Sequence, residues 1–132
     1  MNRRNFIQTS AAGFAVPIFG AQAGKKYRTA LIGSGWWGMN ILNCAIESGE
    51  CKVVAMCDAD QNQLDPAAAK VQQLSGDQPK KYKDFRELLD KEKPEIAIVA
   101  TPDHWHPLAM IAAVKAGAHV YVEKPICHTI QE

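Results

Sequence analysis

The chain has 132 residues, 47% of them apolar, and 15 basic against 14 acidic side chains give a formal charge of +1. That balance excludes a polybasic surface for nucleic acid or anionic lipid, the apolar content excludes a disordered polymer, and no run of about 18 apolar residues is present to span a bilayer. One domain suited to a small-molecule ligand is what these bounds leave.

Residues 1–23 differ in character from the rest. Arg3 and Arg4 precede Phe6 and Ile7, an uncharged and mostly apolar stretch runs from Ser10 to Gly20, and Ala21-Gln-Ala23 has the small-x-small form of a signal peptidase site. The segment resembles a twin-arginine export signal, which implies a periplasmic or otherwise exported protein with no membrane attachment after cleavage. A disordered basic tail is the alternative. Residues 1–23 hold two arginines and no acid, so the domain from 24 to 132 shifts from +1 to −1.

From Lys26 onward, strand-like and helix-like segments alternate. Tyr27 to Gly33 reads as a first strand and Trp36 to Ser48 as a first helix, with Trp37, Ile41, Cys44, Ala45 and Ser48 on its packed face and Gly49 ending it. Lys52 to Asp58 is an unbroken apolar run, as expected of a strand buried on both faces. Asp60 caps a second helix reaching Leu74, with Pro66 in its first turns or at its start. Lys80 to Tyr82 is a short polar edge strand, and Asp84-Phe-Arg-Glu87 forms a capping box that opens a third helix ending before Pro94. Glu95 to Thr101 is the fourth strand, Pro107 to Ala116 the fourth helix with Gly117 at its end, and His119 to Glu123 the fifth strand. This alternation predicts an α/β, Rossmann-like doubly wound parallel sheet; right-handed crossovers give strand order 3-2-1-4-5, with a ligand at the carboxyl ends of strands one and four.

The turn after the first strand carries Gly33-Ser-Gly-Trp-Trp-Gly38, and Asp58 follows Gly38 by 20 positions. Gly33 permits the tight turn, Gly35 leaves no Cβ between the backbone and a pyrophosphate, and Gly38 lets the helix pack closely. The pyrophosphate then lies at a helix N-terminus, where free N–H groups and the dipole favour an anion. Asp58 accepts hydrogen bonds from the adenosine ribose and repels a 2′-phosphate, so the cofactor expected is NAD rather than NADP. Cys44, Cys51, Cys57 and Cys127 show no metal-ligand spacing and are mostly expected as buried thiols, Cys44 and Cys57 in apolar settings. His104 and His106 flank Trp105 beside Asp103, but no further ligand cluster accompanies them, so no metal site is assigned; His119 and His128 receive no role.

GSGWWG at 33–38, TPDHWH at 101–106 and EKP at 123–125 together resemble the nucleotide-binding half of the Gfo/Idh/MocA oxidoreductases, the glucose-fructose oxidoreductase and inositol dehydrogenase family. The resemblance covers residues 26–132. It implies that Lys124 lies near the nicotinamide as the catalytic residue, donating to the substrate hydroxyl and stabilising negative charge on its oxygen. Glu123 would face the nicotinamide ribose and Pro125 fix the turn. Thr101, Pro102 and His106 would line the cofactor, Ser34 would bind it from the glycine loop, and Trp36 and Trp37, in the variable slots of that loop, would cover it or pack.

Family members continue into a C-terminal α/β domain that forms the substrate face and often the oligomer interface, and that usually supplies an aspartate and a proton-transferring histidine. The sequence stops at Glu132, inside the next expected helix, and so reads as an N-terminal fragment or truncated product that can hold cofactor but not complete catalysis. The function implied is the nucleotide-binding part of an exported NAD-dependent oxidoreductase acting on a sugar, polyol or related secondary alcohol by hydride transfer, homo-oligomeric at full length. The alternatives are an NAD-dependent glycoside hydrolase of the same family and a non-catalytic nucleotide-binding fragment.

Overall fold

The computed structural model describes residues 24–129 and Gln131, so the export-signal reading of residues 1–23 lies outside it. The elements are β1 (Tyr27–Ile32), α1 (Trp36–Glu47), β2 (Cys51–Cys57), α2 (Gln61–Ser75), β3 (Lys80–Tyr82), α3 (Phe85–Glu92), β4 (Ile96–Val99), a 3-10 turn (Asp103–Trp105), α4 (His106–Lys115) and β5 (His119–Val122). The five strands are parallel in the order β3-β2-β1-β4-β5, as the crossover rule requires.

Strand alternation divides the core into two layers. Ala30 and Ile32 of β1, with Ala97 and Val99 of β4, face Phe85, Leu88 and Leu89 of α3 and Ala109 and Ala113 of α4. Leu31 and Ile98 point the other way, onto Met39 and Leu42 of α1 and Leu64 and Val71 of α2. Each fully buried leucine here contributes roughly 1.5–3 kcal/mol relative to exposure, which is what holds the helices to the sheet. Small alanines on β4 and α4 let that helix lie close to the sheet, setting its first turn beside the ends of β4 and β5.

Local signals place the element ends. Asp60 accepts from Asn62 N at 2.9 Å to cap α2, and Gly76 closes that helix in the left-handed conformation at φ +77°. Pro66 sits in the second turn of α2. The expected capping box is only half made: Asp84 accepts from Arg86 N at 2.8 Å, but Glu87 binds Lys91 four residues on instead of returning to the cap.

The expected packed face of α1 is also corrected. Its buried residues are Gly38, Met39 and Leu42, while Trp37 and Cys44 are exposed and Ile41 and Ala45 only partly covered. The close contact at Gly38 fixes the helix rotation, and so turns the Trp37–Cys44 stripe toward the β5 edge. Cys44 is therefore an exposed thiol, whereas Cys51 and Cys57 are buried and burial pushes Cys57 up to about 12.

Candidate functional site

The site is assembled where β1, β2, β4 and β5 end. Gly33 has φ +95°, and a Cβ there would fall 2.4 Å from the Ala100 carbonyl oxygen, so the turn is tight because β4 passes against it. A Cβ on Gly38 would fall 2.1 Å from the Gly33 carbonyl oxygen, whereas one on Gly35 would meet nothing within 4 Å. Gly33 and Gly38 are thus required by the fold; Gly35 faces open space.

Gly35 is also the N-cap of α1, and neither a side-chain cap nor an acidic residue in the first turn uses the free N–H groups of that helix. They remain available for an anion. Asp58, at the end of β2, binds the glycine loop: its Oδ2 accepts from Ser34 N and Ser34 Oγ, both at 2.8 Å, and its Oδ1 accepts from Asp60 N at 3.0 Å. The carboxylate therefore fixes the loop and retains lone pairs for a further donor.

Two cavities flank the loop and share Thr101. One, of about 400 Å³, runs along Gly33, Asp58, Phe85, Arg86, Pro102 and Trp105; the other, of about 310 Å³, is lined by Trp37, Thr101, Asp103, His106, Glu123 and Lys124. Thr101 Oγ1 is buried and has no hydrogen-bond partner among the described residues, leaving a polar group where the two meet. An elongated ligand with two ends and an anionic middle fits this arrangement: the helix terminus and open Gly35 for the anion, Asp58 for a diol on one side, and the Thr101 hydroxyl between. The residues present fit a dinucleotide.

In the first of these cavities, Phe85 packs edge-on against Trp105 and carries Arg86 over its face at 4.4 Å. Sequence reasoning gave none of the three a cofactor role. The rule that singled out the ends of β4 and β5 also applies to β3, whose end leads directly into Lys83–Arg86.

The second cavity holds the predicted chemical group. Lys124 is exposed, and its ammonium is in no ion pair among the described residues. Glu123 accepts from Tyr121 Oη at 2.9 Å, and that bond first, with the nearby Trp37 indole second, holds its carboxyl below the usual range. Glu123 in turn raises the Tyr121 hydroxyl.

His106 is 1% exposed, and both its ring nitrogens approach carbonyl oxygens, Nδ1 that of Pro125 at 2.7 Å and Nε2 that of Thr101 at 2.8 Å. It lines the cavity while bracing the two loops that carry Thr101 and Lys124. The Lys124–Pro125 peptide is cis. His128, given no partner from sequence, has Nε2 3.9 Å from Asp103 Oδ2. Among the described residues no three metal-ligating side chains cluster.

Residues 27–132 match the model of the oxidoreductase family with an NAD-binding Rossmann fold, GFO_IDH_MocA. The chain belongs to the Gfo/Idh/MocA oxidoreductase family. Its cofactor is NAD, as the sequence predicts. Among curated relatives, a glycosyl hydrolase family 109 protein of Stenotrophomonas maltophilia is 34% identical over all of this chain, which spans 31% of that protein. A second, from Shewanella putrefaciens, is 32% identical over 80% of this chain and 24% of its own length.

Solved Gfo/Idh/MocA structures share the fold. The WlbA dehydrogenase of Bordetella pertussis, in complex with NADH and UDP-GlcNAcA, superposes with a TM-score of 0.67 at 27% identity, covering 78% of this chain and 30% of that one. The myo-inositol 2-dehydrogenase of Lactobacillus plantarum gives 0.68 at 28% identity, covering 81% and 30%. The chain thus spans about a quarter to a third of the length of these relatives.

Proposed function

We propose that this chain is the cofactor-holding part of an exported NAD-dependent oxidoreductase that removes hydride from a secondary alcohol of a sugar, polyol or related substrate, and that forms a homo-oligomer at full length. The observation that carries the reading is Lys124: an ammonium with no ion pair among the described residues, lining the cavity that also holds Glu123, the buried His106 and the Thr101 hydroxyl. Bound NAD supplies the hydride acceptor. Lys124 would donate a hydrogen bond to the substrate oxygen and stabilise the alkoxide left when the hydroxyl proton passes to the proton-transferring histidine expected of the substrate domain, a charge that is discharged as hydride leaves the carbon and the C=O bond forms. Glu123 and Thr101 orient the nicotinamide end, and Asp58 the adenosine ribose. The export reading rests on the twin-arginine pattern at Arg3 and Arg4 with Ala21-Gln-Ala23.

A second reading, glycoside hydrolysis through transient oxidation of the sugar and return of the hydride, is favoured by the names of the 34% and 32% identical relatives. Lys124 would serve it in the same way at the oxidised carbon. Calorimetric titration of NADH into the chain tests the cofactor part: saturable binding is expected, and its absence would remove both readings. In a protein that joins this domain to a substrate domain, net NADH accumulation with sugar or polyol supports the dehydrogenase. Glycoside cleavage with no net NADH supports the hydrolase, and loss of either on Lys124→Ala places the lysine in the chemistry.

A further inference from the structure

Resting on the reading that the Lys124 cavity takes the nicotinamide end of NAD, we propose that Trp37 and Tyr121 are positioning residues, which hold the Glu123 carboxylate toward a ribose cis-diol and away from Lys124. Alternation along β5 sends Val120 and Val122 into the α3/α4 layer, so Tyr121 and Glu123 share the opposite side, toward α1. The Tyr121 hydroxyl donates to Glu123 Oε1 at 2.9 Å, and Trp37, in the first turn of α1, lines the same cavity beside that carboxylate.

The choice of donors matters. A tyrosine hydroxyl and an indole are neutral, so they orient the carboxylate without cancelling its charge, and an ionised carboxylate offers about four acceptor sites, of which the Tyr121 bond uses one. The remaining lone pairs can accept from both hydroxyls of a cis-diol. A lysine partner would have done otherwise: had Glu123 turned onto its neighbour Lys124, the ion pair would occupy the donor that the substrate oxygen needs. The Tyr121–Glu123 bond is solvent-exposed, where such contacts add little stability, so fixing direction is its larger effect. The rotation of α1 set by Gly38 is what brings Trp37 here; the same rotation leaves Trp37 half exposed. The other titratable groups around Glu123 are Lys124 after β5, His106 at the start of α4, Asp103 of the 3-10 turn and, beside Tyr121, Cys44 of α1.

The test is calorimetric titration of NADH into the 132-residue chain across pH, for the wild type, Trp37→Phe, Tyr121→Phe, Glu123→Gln and the remote control Tyr27→Phe. Trp37→Phe keeps an aromatic ring and removes the N–H; Tyr121→Phe removes only a hydroxyl at an exposed position and leaves the core untouched. Each is expected to weaken NADH binding about fivefold, the loss of roughly one hydrogen bond, and to move the acid limit of binding upward as Glu123 regains an ordinary carboxyl pKa. Tyr27→Phe should bind as wild type. If Trp37→Phe and Tyr121→Phe keep wild-type affinity and acid limit while Glu123→Gln weakens binding, the inference is overturned and the NAD reading stands. No saturable binding by the wild type overturns both.

Discussion

Gly35 and Gly38 are three residues apart in one motif, yet they are glycine for different reasons, and substitution separates them. Alanine at Gly38 drives a methyl group to 2.1 Å from a backbone oxygen that cannot move without shifting the turn, so Gly38→Ala should cost at least the ~1–3 kcal/mol of an overpacked site. Alanine at Gly35 meets nothing and keeps an ordinary φ of −64°, so urea unfolding of Gly35→Ala should stay within about 0.5 kcal/mol of wild type while NADH affinity falls. Equal destabilisation of the two would contradict this division. Asp58 likewise braces Ser34 and, on the proposed reading, presents negative charge to the ribose. Asp58→Asn keeps an oxygen to accept from Ser34 N but removes the charge that opposes a 2′-phosphate, and Lys83 and Arg86 in the same cavity can then serve as counter-ions. The NADPH-to-NADH affinity ratio, measured by calorimetry, should rise about tenfold, equivalent to ~1.4 kcal/mol; an unchanged ratio would remove Asp58 from cofactor selection. The spacing of Asp58 from the glycines is legible in sequence because strand and helix lengths set it. Its bonds to Ser34 are not, since they depend on the register that pairs Ile32 with Cys57 across two strands.

Elements were readable where local chemistry decides them and misread where packing does. All five strands and their order follow from apolar runs and the crossover rule, and Asp60 and Asp84 cap the helices that their positions announce. The packed face of α1 does not follow from spacing, because helical spacing fits several faces of a mostly apolar helix and the contact at Gly38 chooses among them. Strand β3 shows how a polar edge is held. Only three residues long, it is tied to α3 through Glu92, which is 8% exposed, accepts from Tyr82 Oη, and binds Lys80 Nζ at 2.9 Å. Those hydrogen bonds, Tyr82 first and Lys80 second, hold the Glu92 carboxyl below its ordinary range. A depressed carboxyl contributes stability above its unfolded value of about 4.3 and loses it as pH falls through the folded value. Glu92→Gln should therefore cost roughly 1–3 kcal/mol at pH 7, and the difference from wild type should vanish at low pH, where both side chains are neutral. Urea unfolding at the two pH values measures it, and a gap that persists in acid would assign the loss to packing instead.

At the scale of the whole described domain, a parallel sheet covered by helices on both faces has two edges, and among the described residues they are unlike. The β3 edge is short and carries Lys80 and Lys81, the residues that discourage strand addition. The β5 edge has no lysine within the strand, its Tyr121 is 50% exposed, and beside it the outer side of α4 shows Leu108, Ile111 and Val114 at 50%, 37% and 58%. An apolar flank next to an open strand edge favours contact with another surface, whereas the lysine-bearing edge does not. Self-association should therefore proceed through the β5 and α4 side. The double variant Leu108→Lys, Val114→Lys places charge on that flank without touching the lining of either cavity. In sedimentation velocity, the wild type should show apparent mass rising with concentration and the variant should remain at monomer mass. NADH affinity should be unchanged and the unfolding free energy should stay within about 0.5 kcal/mol, because both side chains already face solvent. Should wild type and variant share the same concentration dependence, the apolar flank is not what brings copies together, and the lysine-bearing β3 edge becomes the surface to alter next.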